Sequence, residues 1–115
     1  MREFLLLIRE PITYSEMSDE EMQADIDRHM NWIESLVEKG HFREGNPLEF
    51  EGIVITGESA SPVGGPYIDH NLCISGYYIL HAQSLDEAAK IVSTCPSLAT
   101  GASIELRSII QIPKD

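Results

Sequence analysis

The residue best suited to chemistry is His29. An imidazole titrates near neutrality unaided, so it can accept or release a proton under ordinary conditions. His29 stands three positions after Ile26 and four before Ile33, on the apolar stripe of a predicted helix that also carries Met22, Leu36 and Val37. Asp25 lies one turn earlier. An imidazole on such a stripe loses water and must find a partner. Two readings are open. One is a packed histidine satisfied by Asp25 or by a backbone carbonyl. The other is a general acid/base in a cleft between the helix and a sheet, acting on a small organic molecule without a cofactor.

A second polar group sits in the stretch Val63–Leu80, VGGPYIDHNLCISGYYIL. Gly64, Gly65 and Pro66 form a backbone device: glycine permits close approach, and proline fixes φ and removes a donor. Tyr67, Ile68, Asp69, His70 and Asn71 follow, placing a phenol, a carboxylate, an imidazole and an amide close together. The stretch reads either as a surface turn between strands or as a loop lining a site. In the second case Gly65 and Pro66 would let a ligand approach, and Tyr67, Asp69 and His70 would line the pocket beside His29.

Other chemistries find little support. The four histidines have no i, i+4 or HExxH-like grouping, so no metal site is expected. Gly64-Gly65 does not open a phosphate-binding loop, because no helix start with Lys and Ser/Thr follows. Cys73 and Cys95 share no CxxC spacing and have no neighbouring base, so both are expected reduced and packed. No GxSxG elbow is present. The formal net charge of −11 argues against nucleic acid and against anionic membranes, and otherwise serves solubility. The longest apolar run, Phe4–Ile8, is too short to span a bilayer, and no signal-peptide pattern opens the chain. A cytoplasmic protein is expected. At 115 residues, 43% hydrophobic and 23% charged, the chain reads as one soluble domain covering residues 1–115.

The elements that must position these groups can be read in order. Glu3–Arg9 is a continuous apolar run of the length of a central strand, closed by Glu10 and Pro11. Ile12–Met17 reads as a loop. Ser18 and Glu21 form a capping box, with Asp19 and Glu20 on the positive end of the dipole and Lys39-Gly40 at the stop. The helix between them is a rod of about 30 Å. His41–Leu48 reads as a connector and Glu51–Thr56 as a second strand. Glu58–Pro62, with Ser59 and Ser61, reads as a polar turn, and Gly76–Ala82 as a third strand. Ser84 and Glu87 cap a second helix whose stripe is Leu85, Ala88, Ala89, Val92 and Cys95, stopped by Pro96. A loop over Pro96–Ala102 leads to a last strand, Ser103–Ile112. The order predicts an α+β fold, ferredoxin-like βαββαβ with a mostly antiparallel sheet and both helices on one face. The other face would be bare and would expose Ile109 and Tyr77 or Tyr78. That asks for a partner, most simply a homodimer through the sheet face.

The central stretch resembles the DGPF segment of the YCII-related (DGPF-domain) family. The motif stands here as Gly64-Gly65-Pro66-Tyr67, followed by the matching Asp69 and by Gly76-Tyr77-Tyr78. The resemblance continues through Ser84–Ala88, Cys95-Pro96, Ser103–Arg107, Gly45–Leu48 and the N-terminal strand and helix, nearly the whole chain. It implies the same fold, paired as a dimeric α/β barrel. Counted back from the terminating glycine, His29 falls where family members carry a histidine that pairs with an acid after the first strand, and Glu10 is the nearest match in position. The chain departs from the pattern at the motif aspartate, which is Gly64, and at two charged positions, which are Asn71 and Leu72. Two function classes follow. One is a cofactor-free small-molecule enzyme with His29, Glu10 and Asp25 as its acid/base group. The other is a non-catalytic binding or regulatory module, since DGPF-type members are often encoded near sigma factors. The retained His29 favours the first, and the lost charges favour the second.

Overall fold

The apolar run near the N-terminus becomes β1, Arg2–Pro11, the second strand from one edge of a four-stranded sheet. The computed structural model describes residues 1–57 and 61–113. Along β1, Phe4, Leu6 and Ile8 are fully buried beneath the helices, whereas Leu5 and Leu7 on the other face are only half-buried. The strand is central, but its second face has no layer over it within this chain. The sheet order is β2-β5-β1-β6 and every pairing is antiparallel. In sequence order of the sheet strands this is the ferredoxin-like arrangement expected from the sequence.

Several expectations about the strands need correction. The supposed connector at 41–48 is β2, Phe42–Pro47, an edge strand paired with β5. It carries glycine, asparagine and a terminal proline because an edge strand tolerates missing donors. The expected second strand is β3, Gly52–Thr56, but it leaves the main sheet and forms a separate hairpin with β4, Ser61–Gly65. Ser61 and Pro62 therefore lie in a strand, while Ser59 and the rest of the expected turn, residues 58–60, lie outside the described residues. Strand β5 runs Leu72–Ala82, starting four residues before Gly76. His70 and Asn71 both have positive φ, 52° and 65°, and Asp69 and Leu72 exchange backbone hydrogen bonds around them. Two left-handed residues between paired neighbours match the twist of the flanking strands, and asparagine tolerates that region. The last strand, β6, is Ser103–Ser108, so Ile110 and Ile112 fall beyond it and are about four-fifths exposed (83% and 78%).

Helix α1, Asp19–Glu38, opens on the capping box: the Glu21 amide donates to Ser18 Oγ, and Glu21 Oε1 accepts from the Ser18 amide. It ends at Gly40, φ 76°, where the Gly40 and His41 amides bond the Val37 and Leu36 carbonyls. The region before it, Ile12–Glu16, is a short 3-10 helix and not an irregular loop. The core face of α1 is Trp32 and Leu36. Of the apolar stripe expected from spacing, Leu36 is in the core and Ile33 packs against it, whereas Met22, Ile26 and Val37 are exposed by 37%, 41% and 56%. Helix α2, Leu85–Val92, is capped by Ser84 and buries Ala88 and Val92, and the segment after it, Pro96–Thr100, is again a 3-10 helix.

The core joins Leu6, Ile8, Trp32, Leu36, Tyr78, Leu80, Val92 and Cys95 in one cluster, with Phe4, Ala82 and Ala88 in a second. Each fully buried Leu or Phe side chain contributes about 1.5–3 kcal/mol. Trp32 satisfies its buried indole by donating to Thr94 Oγ1 at 2.8 Å. Both cysteines are buried. The uncovered sheet face carries Leu5, Leu7, Tyr77 and Ile79 in adjacent registers, flanked by two ionic groups. One joins Arg9, Glu105 and Arg107, whose guanidinium groups hold the Glu105 carboxyl below the ordinary range. The other joins Glu3 to His81 and Arg43. Among the described residues no helix is long and apolar enough to cross a membrane.

Candidate functional site

A break in the sheet prepares the site. Between Ile8 and Arg9 the β1–β5 register shifts: Ile8 faces Gly76 and Arg9 faces Ile74, so Ser75 has no partner across the ladder. Such bulges re-aim side chains. Here Ser75 Oγ donates to Glu10 Oε1 at 2.5 Å, and its carbonyl accepts from the Leu48 amide. The displaced backbone, the end of β2 and the N-terminal half of α1 enclose a cavity of about 320 Å³. That volume is at the small end of ligand sites.

His29 forms part of the wall, with its side chain 14% exposed. Neither of its nitrogens is bonded to backbone. Nδ1 lies 3.2 Å from the Tyr78 hydroxyl and Nε2 lies 3.0 Å from Ser97 Oγ. Asp25 Oδ1 is 3.9 Å from Nε2, inside ion-pair range but beyond hydrogen-bond range. Asp25 is also paired with Arg28, at 3.3 Å. Glu10 is on the same wall, held by Ser75, and no hydrogen bond or ion pair joins it to His29. Sequence reasoning thus placed His29, Asp25 and Glu10, and the structure brings all three to one cavity. It gives His29 two hydroxyl partners in place of a carboxylate.

The consequence is a hydroxyl–imidazole–hydroxyl chain. A neutral imidazole has one N–H and one bare nitrogen, while each hydroxyl can donate or accept. The chain therefore has two senses, and exchanging them carries a proton across the ring. Burial pushes the Tyr78 phenol up to about 12, so Tyr78 takes part as a neutral hydroxyl. Burial also pushes the neighbouring Cys95 thiol up, which keeps it a thiol and not a nucleophile. Tyr78 is stacked on His29 with ring centroids 6.4 Å apart and meets Trp32 edge-on at 5.6 Å. Ser97, 1% exposed, is fixed by the 3-10 segment after α2.

The residues of the central stretch lie elsewhere. Pro66, Tyr67 and Asp69 line a different hollow, of about 450 Å³, between the β3–β4 hairpin, Arg9 and the start of β5. Gly65 and His70 line neither cavity. A β-carbon on Gly65 would come within 3.3 Å of the Gly52–Ile53 backbone, so this glycine answers to hairpin packing. Asp69 pairs with His70 at 2.8 Å on a turn where the two side chains are 62% and 91% exposed. The expectation that this loop lines the pocket beside His29 does not hold: it folds as the turn that starts β5. Ser75, Tyr78 and Ser97 are the site residues that sequence reasoning missed. Strand alternation put Tyr77 and Tyr78 on opposite faces without saying which faces the helices, and nothing local marks either serine.

These features define a class: a ferredoxin-like α+β domain with a small cavity between its first helix and a bulged sheet, and an imidazole in the wall. The chain belongs to the YCII-related domain family, whose model matches residues 4–113. Comparison with curated proteins finds no match. Among solved structures, one similar chain is 5-chloro-2-hydroxyhydroquinone dehydrochlorinase (TftG) from Burkholderia phenoliruptrix AC1100, in complex with 2,5-dihydroxybenzoquinone. It is 20% identical, with a TM-score of 0.45 and 90% of each chain covered.

Proposed function

We propose that this chain binds a small organic molecule in the α1–sheet cavity and moves a proton to or from it through His29. The observation that carries this reading is the position of His29, in the cavity wall with both ring nitrogens on side-chain hydroxyls. The Tyr78 and Ser97 hydroxyls hold the ring and can resupply or remove its proton. Asp25 Oδ1 stands 3.9 Å from Nε2, within ion-pair range. No cofactor is part of this reading. The domain acts as a homodimer, with a second copy covering the Leu5, Leu7, Tyr77 and Ile79 face. One observation favours a second reading, a module that binds without catalysis: among the described residues the hydrogen bonds to the His29 ring come from hydroxyls and not from a carboxylate.

The test is proton exchange. Small neutral ketones and phenols are incubated with the protein in heavy water, and carbon-bound deuterium is followed by mass spectrometry. A positioned base contributes about 10²–10⁴-fold. Wild type should speed exchange for at least one compound, and His29→Gln should return it to the buffer rate without unfolding the chain. Exchange that survives in His29→Gln would refute the catalytic role. Binding in the cavity with no exchange at all would leave the module reading.

A further inference from the structure

We infer that the cavity selects a molecule with an apolar body and a hydrogen-bond-donating end that carries no negative charge: an amine first, an alcohol or phenol second, a carboxylate last. This rests on the reading of the cavity as the site.

The body follows from the wall. Met17, Met22 and Met30 all face the space, with Ile26 between them. Thioethers are adaptable and polarisable, and they pack well against ring edges. This also explains why Met22 and Ile26 of the α1 stripe stay outside the core: they line the cavity instead.

The polar end follows from charge. Glu10 and Asp25 are both in the wall, and among the described residues no lysine or arginine is. Arg28 reaches Asp25 from an adjoining hollow of about 330 Å³. That hollow shares Glu10 and Asp25 and adds Glu16 and Glu21, so acids outnumber the one arginine on that side too. A ligand carboxylate would be desolvated among like charges with no cationic donor to meet it, which is how a site excludes a competitor. An ammonium or hydroxyl would instead give its hydrogens to carboxylate oxygens.

The protein supplies its own reporters. It has four methionines; three line the cavity and the fourth, Met1, is 65% exposed outside it. Protein carrying ¹³C-methyl methionine is titrated at neutral pH with 2-phenylethylamine, 2-phenylethanol and 3-phenylpropanoate, which differ mainly in the charge of one end. The amine should move the three cavity signals and leave Met1 still. It should bind about tenfold or more tighter than the carboxylate, a difference of 1.4 kcal/mol, with the alcohol between. In the double variant Glu10→Gln, Asp25→Asn this preference should shrink to within about threefold. The long-range field of the other acids is screened beyond about 8 Å at physiological salt, so it cannot sustain the preference. A carboxylate that binds as tightly as the amine overturns the inference and leaves the cavity as a site. A preference unchanged in the double variant overturns it too, since its cause would lie elsewhere. If none of the three moves the cavity methionines, or if Met1 moves with them, both the inference and the site reading fall.

Discussion

Gly45 is the position where one added carbon should disturb the site most. It lies in β2 directly opposite Tyr78 in β5. A β-carbon there would overlap Cδ1 of the Tyr78 ring, sit 2.6 Å from Cε1, and lie 2.8 Å from the Tyr77 carbonyl oxygen. The ring cannot simply swing aside, because Trp32, Phe42 and His29 hold it on three sides. The carbonyl is backbone and can move only if the strand pair opens. Overpacking of this kind costs about 1–3 kcal/mol. Losing the Tyr78–His29 hydrogen bond adds about 1 kcal/mol. Alanine returns about 0.4–1 kcal/mol by restricting the unfolded chain. Gly45→Ala should therefore destabilise by about 2 kcal/mol. For a domain of this length that lowers Tm by about 8 °C. Urea and thermal unfolding followed by far-ultraviolet circular dichroism would read it. The ring contact is the larger cause, so in a Tyr78→Leu background the same substitution should cost about 1 kcal/mol less, a coupling of the size that touching residues show, with the Tyr77 carbonyl contact remaining. An unchanged or raised Tm for Gly45→Ala refutes the argument. An equal cost in both backgrounds refutes the role of Tyr78.

Two further outcomes can be checked. The Tyr78 phenol titrates at about 12 against an ordinary 10.0, because burial favours its neutral form. Its contribution to stability is therefore complete below pH 10 and is lost as pH rises toward 12. Phenolate absorbance should show one of the four tyrosines ionising after the rest. Tyr78→Phe should remove that late step and flatten the alkaline loss of stability; a titration unchanged in the variant would count against it. The uncovered sheet face predicts a dimer in sedimentation experiments and a monomer for Leu7→Lys with Ile79→Lys, which would place charges on that apolar face. A monomeric wild type would end that proposal.

The parts of the fold legible in the sequence were those set by local rules. Ser18–Glu21 and Ser84–Glu87 announced both helices, because capping is a short-range hydrogen-bond pattern, although only the first is a full capping box: Glu87 reaches back to the Gln83 amide and not to that of Ser84. The run at Phe4–Ile8 announced the central strand. Strand β2 was illegible for a physical reason. An edge strand is held by one neighbour, so Phe42–Pro47 needs neither alternation nor β-branched residues, and it reads like a loop. The hairpin β3–β4 misled in the opposite way. Its Ile53, Val54 and Ile55 have strong strand character, but pairing partners are not encoded in propensity, and the hairpin stands off the main sheet.

The site shows the same division. His29 was conspicuous because a polar group interrupted an apolar period. The partners on offer were a backbone carbonyl, Glu10, and Asp25, which helical spacing supplies four residues away. The Asp25 carboxylate stays out of hydrogen-bond reach, at 3.9 Å. The hydroxyls that do meet the ring come from 49 and 68 residues further along the chain. Glu10, likewise, finds Ser75 across 65 residues through a bulge that no local pattern signals. Helical periodicity specifies which residues share a face, but not what the tertiary fold sets opposite that face. The apolar stripe illustrates the point: its Met22 and Ile26 wall a cavity, its Ile33 touches both cavity and core, and its Leu36 is buried in the core beside Trp32, which the stripe did not include. A stripe built of flexible methionines, with an imidazole in its middle and a carboxylate one turn away, suits a wall against a changing occupant better than a close-packed core.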